Sequence, residues 1–383
     1  MAMNSISFRE HHLFQLLENY SNQTLPIDLF ISHYFRSQPA LGSKDRAFIA
    51  ETIYALIRWQ GLLDYLISSN NTASTNWKER YAVYSVLQMD DIQKRTDIPL
   101  ATRVSFPQPL FDLFVQNFGI EKAEELSLAC NTPAPTTVRA NTLKISRDDL
   151  IKRWKELYSI SPTQTSLEGI VFHKKINFFQ LPEFQQGFFE VQDEGSQLLA
   201  DLVTILPGQQ VLDFCAGSGG KTLAFAPRMK EKGQVYLHDI RHRALQEARK
   251  RLKRAGIQNY QILSPDSSHL PKLKKKMHWV FVDAPCSGTG TLRRNPDMKW
   301  KFNLEMLNRL IGQQRTIFEK ALSFLHPEGH IVYATCSLLK EENQAQIEHF
   351  LSTYALQLVG TPFQSLPSPG GMDGFFGVVL KRA

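Results

Sequence analysis

The chain has 383 residues, 43% of them hydrophobic, and 44 Lys and Arg against 37 Asp and Glu give a formal charge of +7. That length suits two or three domains, and that apolar share belongs to a chain able to bury a sizeable core. The modest basic surplus fits a nucleic-acid partner.

Four widely spaced cysteines, Cys130, Cys215, Cys286 and Cys336, form no Cys-x-x-Cys pair. This argues against a disulfide framework or a zinc site, so no metal is expected. Met1 to Leu13 carries Arg9, His11 and His12 and lacks the apolar core of a signal peptide. No stretch approaches the roughly 18 apolar residues of a membrane span. The expectation is a cytoplasmic protein with reduced thiols and no membrane contact; a monomer is the default.

Residues 1 to about 120 read as helical, with Ile49, Ile53, Leu56 and Ile57 at helical spacing. Breaks are expected at Asn19 to Pro26, at Asn70 to Thr75 and at Pro99 to Pro109, where Phe106-Pro107-Gln108-Pro109 suggests a corner. A small α+β unit begins near Asn131. Pro133 and Pro135 stop a helix, Thr136 to Asn141 reads as a strand, Ser146 caps a helix to about Leu157, and Ile170 to Phe172 is another strand. From about Gln192 strands and helices alternate. The strands are expected at Gln210 to Phe214, Val235 to His238, Tyr260 to Leu263, Val280 to Val282, Ile331 to Tyr333 and Phe375 to Leu380. That rhythm implies a doubly wound α/β sheet.

In such sheets the active crevice lies at the carboxyl ends of the strands. Cys286, in Asp283-Ala284-Pro285-Cys286, and Cys336, in Ala334-Thr335-Cys336-Ser337, each follow a short apolar run. Two soft nucleophiles at two strand ends point to chemistry on a carbon atom. Cys215-Ala216-Gly217-Ser218-Gly219-Gly220-Lys221-Thr222 reads as a glycine-rich turn opening a helix. A P-loop would need glycine at Cys215, and adjacent Gly219 and Gly220 break the dinucleotide pattern. A nucleoside with a short charged tail remains, with Asp239 placed for ribose hydroxyls, Asp266 for an adenine amino group and Asp283 on the same crevice. S-adenosylmethionine suits this set better than a nucleotide phosphate.

These residues resemble the RsmB/Sun type of RNA (cytosine-5) methyltransferase. The likeness runs through Leu41-Gly42-Ser43-Lys44-Asp45-Arg46, Val138-Arg139-Ala140-Asn141, Val191 to Ser196 and the 215–222 loop. It is strongest in Asp283 to Gly290, Arg293-Arg294-Asn295-Pro296-Asp297 and Tyr333 to Ser337, and closes on Glu341-Glu342-Asn343 and Asp373 to Phe376. The family usually has proline where this chain has Ser218.

The resemblance implies three domains: a NusB-like RNA-binding helical domain (1–125), an RRM-like α+β module (126–190) and a class I methyltransferase domain (191–383). It also implies that Cys336 attacks cytosine C6, that Cys286 helps remove the C5 proton, that Asp283 binds the base edge and that Lys221 lies near cofactor or ring. Arg139, Arg293, Arg294 and Lys299 are candidates for RNA contacts, and Trp300 or Phe302 for flanking the target base. Small-subunit ribosomal RNA is the expected substrate. Three readings stay open: a transfer-RNA substrate, a DNA-type enzyme with Cys286 as nucleophile, and a non-catalytic RNA-binding assembly or antitermination factor.

Overall fold

The computed structural model describes residues 7–20, 25–69 and 76–383. The expected break at Asn19 to Pro26 falls partly outside them and that at Asn70 to Thr75 wholly, as does the start of the chain at residues 1–6. Two compact units emerge. One comprises residues up to 133 together with 292–304; the other comprises 134–291 and 305–383.

The first unit is helical. Helices Phe8–Tyr20, Ile27–Ser37 and Ser43–Ser68 bury Leu13, Leu17, Ile31, Ile49, Ile53 and Leu56 in one core. These positions recur every three or four residues, which gives each helix one apolar stripe. Asn76 opens the next helix with a reciprocal capping box to Glu79. The region expected as an open break at 99–109 holds a short helix, Leu100–Arg103, and Pro109 lies in the first turn of Gln108–Phe118. Proline is tolerated there because a first-turn N–H has no helical partner. The helices continue to Cys130, which is buried.

The second unit contains two sheets. The smaller is antiparallel: β1 (Thr136–Ala140), β2 (Ile160–Pro162), β3 (Gly169–Phe172) and β4 (Phe189–Val191), in the order β2-β3-β1-β4. Val138 and Ala140 pack with Leu150 and Trp154 of helix Arg147–Trp154, which Ser146 caps by accepting from Asp149 N–H.

The larger sheet has β5 (Gln210–Asp213), β6 (Gln234–His238), β7 (Tyr260–Leu263), β8 (Met277–Asp283) and β9 (Leu325–Thr335) in parallel. β10 (Leu356–Ser365) and β11 (Phe375–Arg382) add an antiparallel edge, and the order is β10-β11-β9-β8-β5-β6-β7. β10 has no counterpart among the sequence expectations. It is a largely exposed edge strand interrupted by Gly360 and Pro362, so it offers no apolar run to read. The central strands are apolar on both faces. Leu212, Val280, Val282, Ile331 and Tyr333 enter one core, while Val211, Trp279, Phe281, Val332 and Ala334 enter the other. Helix Leu304–Leu322 covers the first face and helix His242–Ala255 the second. Each fully buried Leu, Val or Phe contributes about 1.5–3 kcal/mol of transfer free energy. The chain winds outward from β5 to β7 and returns to β8 on the other side of β5. The carboxyl ends of β5 and β8 therefore flank the switch point where a doubly wound sheet opens a crevice.

Candidate active site

β5 ends at Asp213 and runs into the glycine loop. The turn needs residues free of Cβ strain: Gly219 has φ +78°, and a Cβ there would come within 3.2 Å of Ala248 Cβ. β8 ends at Asp283 and β9 at Thr335, paired in register as Asp283 with Ala334, so the two cysteine turns leave neighbouring strands side by side. Gly290 holds the second of them: its N–H donates to Cys336 O at 2.9 Å, and a Cβ there would lie 2.1 Å from Gly374 O.

These ends enclose a cavity of about 470 Å³, lined by Asp213, Cys215, Gly217, Ser218, Gly220, Lys221, Arg241, Asp283, Cys286 and Cys336 among others. That volume is in the range of small-molecule sites. Cys286 Sγ and Cys336 Sγ are 3.3 Å apart. The contact with Cys336 and burial push the Cys286 thiol well above its ordinary pKa. Lys221 Nζ donates to Asp283 Oδ2 at 2.7 Å. Burial alone would lower the Lys221 pKa, but Asp283, with a contribution from Cys336, raises it, and the ammonium stays charged. Cys215 lines the cavity, and burial pushes its thiol far up, which fits a loop residue rather than a reactive one.

Ser218 has a compensation for the missing proline. Arg251 Nη1 donates to Ser218 O at 3.0 Å and to Ser218 Oγ at 2.8 Å. Arg251 is itself fixed on the buried carboxylate of Glu190, in β4. Two residues along, Gln192 Nε2 donates to Gly220 O at 3.3 Å, and Arg139 Nε donates to Gln192 Oε1 at 2.7 Å. The strand that edges the small sheet thus braces the glycine loop at two carbonyls.

Several sequence expectations change. Asp239 is buried behind the loop; Gly217 N–H and the Arg241 backbone and side chain already occupy both carboxylate oxygens. Burial alone would raise the Asp239 pKa, but those bonds hold it below the ordinary value. Asp266 lies three residues beyond β7, exposed and outside the cavity lining. Three of the four RNA-contact candidates are corrected. Arg139, Arg293 and Lys299 are 4%, 1% and 1% exposed, too enclosed to reach a phosphate. Arg139 serves the Gln192 brace, and Lys299 Nζ donates to Arg58 O and Asn131 Oδ1, both at 2.7 Å. Arg294 keeps part of its surface in solvent. Trp300 and Phe302 are also corrected: the Trp300 indole N–H donates to Ile57 O and its ring packs on the helical core, Phe302 is buried, and neither lines the cavity.

Asp213 is the residue the sequence reading missed. Its Oδ2 accepts from Thr222 Oγ1, its buried Oδ1 has no partner, and it lines the cavity. Burial lifts its pKa to about 7. A strand-ending Asp at the head of a glycine loop was the available signal.

Comparison with known proteins bears on the family. Residues 201–378 match a family model described as 16S rRNA methyltransferase RsmB/F, and 106–178 match the ferredoxin-like domain of RsmF/B-like methyltransferases. A probable ribosomal RNA small subunit methyltransferase B of Synechocystis is 31% identical over 77% of this chain and 71% of its own length. The chain belongs to the RsmB/F family of ribosomal RNA methyltransferases. The Vibrio vulnificus methyltransferase B is 32% identical over 68% of the chain, which spans 63% of that relative. A 26S rRNA (cytosine-C(5))-methyltransferase of Caenorhabditis elegans is 30% identical over 69% of the chain and 40% of its own length. Among solved structures, PH0851 shares the fold over 97% of both chains at TM-score 0.82 and 22% identity. NSun6 from Pyrococcus horikoshii with SFG covers 72% of this chain and 98% of its own at TM-score 0.64 and 20% identity. Among the described residues no helix is long and apolar enough to cross a membrane, and no cluster of three potential metal ligands occurs.

Proposed function

We propose that this member of the family methylates C5 of a cytosine in small-subunit ribosomal RNA, using S-adenosylmethionine and a transient bond between Cys336 and C6 of the base. The observation that carries the reading is the pair of sulfurs 3.3 Å apart on the wall of the cavity that the glycine loop also lines. The donor set fits the cofactor. The glycine loop gives close backbone approach, Arg241 brings a charged group to the cavity at the second strand end, and Asp213 Oδ1 is a buried acceptor without a partner. When bound, the cofactor supplies an electrophilic methyl carbon whose bond to sulfonium sulfur breaks as C5 takes it.

Cytosine C5 becomes nucleophilic only after addition at C6. Cys336 sulfur forms the S–C6 bond and the electron pair of C5=C6 moves toward C5. Asp283 accepts from the base edge, and the Lys221 ammonium beside it offsets the charge that builds on the ring. In the release step the C5–H bond breaks and its electrons restore C5=C6. The C6–S bond breaks toward Cys336, and Cys286 sulfur takes the proton. Cys286 must first give its own proton to solvent, and because the Cys336 contact and burial hold its pKa up, release should quicken as pH rises.

Bisulfite sequencing of total RNA from cells with and without the gene tests the reading. One cytosine of small-subunit ribosomal RNA should lose its methyl mark in the deletion strain. A mark lost from transfer RNA would reassign the substrate, and no lost mark in any RNA would refute the activity.

A further inference from the structure

The Glu341-Glu342-Asn343 motif supplies no cavity-lining residue, yet Glu342 and Asn343 are fully buried beneath the two cysteine turns. Glu342 Oε1 accepts from Ser287 N–H and from Gln314 Nε2, both at 2.9 Å, and its other oxygen accepts from Ser287 Oγ. Gln314 Nε2 also donates to Pro285 O at 3.0 Å. Both neighbours of Cys286 are therefore gripped. Asn343 does the same for Cys336: Thr335 Oγ1 donates to its Oδ1 at 2.6 Å, and its Nδ2 donates to Ser337 O at 2.9 Å. Ser287 Oγ and Ser337 Oγ, 3.2 Å apart, join the two turns.

We propose that the adjacent residues Glu342 and Asn343 are positioning residues that set the distance between the two thiols, Glu342 acting on Cys286 and Asn343 on Cys336. The inference rests on the thiol chemistry of the previous section. Both residues are consecutive on one turn ahead of helix Gln344–Thr353, so neither can shift without the other. A buried carboxyl met by Ser287 and Gln314 rather than by a cation is a costly filler. An apolar side chain would pack the same space more cheaply, but it could not fix a backbone N–H and a hydroxyl on one side of a cysteine. Hydrogen-bonded support of this kind is what holds a reacting group to its working geometry.

The test uses the full chain with RNA and S-adenosylmethionine, reading covalent protein–RNA adduct on denaturing gels beside methyl-transfer turnover. Cys286→Ala should trap adduct and Cys336→Ala should form none. Glu342→Ala should match Cys286→Ala, with adduct accumulating and turnover down about 100-fold, the loss a displacement near 1 Å can bring. Asn343→Ala should match Cys336→Ala, with adduct formation itself slowed by a comparable factor. Glu342→Gln, which keeps an acceptor for Ser287 N–H, should recover most turnover. Ser287→Ala, a smaller change at the same grip, should shift the balance toward adduct even if Glu342→Ala folds poorly. Cofactor affinity should stay within twofold of the parent in every variant that folds.

If the two alanine variants lose both steps equally, or neither step, while the cysteine controls split as stated, the positioning roles are wrong and the thiol chemistry stands. If the cysteine controls exchange their behaviour, the nucleophile assignment falls. Glu342→Ala must then still match Cys286→Ala for the positioning roles to survive.

Discussion

The glycine loop and the cysteine turns line one cavity but are held in opposite ways. The loop presents backbone to the cavity and is braced from behind by charges, Arg251 on Glu190 and Arg139 on Gln192, with the Arg251 side chain still 18% exposed. The cysteine turns present side chains and rest on a dry layer of Ser287, Glu342, Asn343 and Gln314, each at most 3% exposed. Water can replace part of a brace whose Arg251 side chain still meets solvent, whereas a fully buried donor or acceptor that loses its partner bears the full desolvation cost. Cofactor binding should therefore degrade gradually under mutation, and the chemistry at sulfur should fail abruptly.

The largest effect is expected at Cys336. Cys336→Ala should reduce methyl transfer by at least ~10³-fold, as loss of a nucleophile does elsewhere, while cofactor affinity measured by calorimetry stays near parental. Unaltered turnover would break the contrast at once. Next comes the Lys221–Asp283 pair, on the border between the two regions. Lys221→Met leaves a carboxylate without its cation beside the ring and should cost about 10²–10³-fold in kcat, the scale of one lost electrostatic stabiliser. A change confined to the KM for cofactor would move Lys221 wholly to the loop side.

Arg251→Met should weaken cofactor binding by about 10-fold, equivalent to one charge-assisted hydrogen bond of roughly 1.5 kcal/mol, with kcat at saturating cofactor little changed. A loss in kcat alone would show that the brace serves the thiols instead. The pH response sharpens the same division. Because the Cys286 thiol is held well above its ordinary pKa, adduct breakdown in single-turnover experiments should accelerate with rising pH through the alkaline range. A pH-independent release step would remove Cys286 from proton transfer.

The smallest effect concerns stability at Asp213. Its folded pKa, about 7, lies above the unfolded value of about 3.9. The protonated native form is therefore favoured, and this contribution is complete below about pH 4 and fades as pH rises through 7. Asp213→Asn should gain melting temperature relative to the parent as pH rises from 4 to 8. A constant difference would show that the group titrates alike in both states.

The difference between the two regions also explains what the sequence made legible. The loop and both cysteines sit in short contiguous motifs at the ends of apolar runs, so period and spacing revealed them before any contact was known. The grip beneath the thiols joins Ser287 to Glu342 across 55 positions and Gln314 to Glu342 across 28, and no local pattern carries such a pairing. The basic residues misled for a related reason. Arg293 and Lys299 look like phosphate contacts in a linear reading, yet both side chains are buried in the helical unit, where Lys299 Nζ donates to Arg58 O and Asn131 Oδ1 and the Arg293 carbonyl accepts from Arg58 Nη2. Arg139 lies on a strand whose alternate residues point away from the core of the small sheet, and only the third dimension shows that this face meets Gln192. Edge strand β10 was invisible because exposure removes the apolar alternation by which strands are read.

The most direct measurement is tandem mass spectrometry of the adduct that Cys286→Ala forms with RNA, after nuclease and protease digestion. A pyrimidine mass attached to the peptide containing Cys336, and carrying the transferred methyl group, is the expected result. The same mass on any other residue, or a Cys286→Ala protein that turns over without retaining RNA, would contradict covalent catalysis by the sulfur at 336.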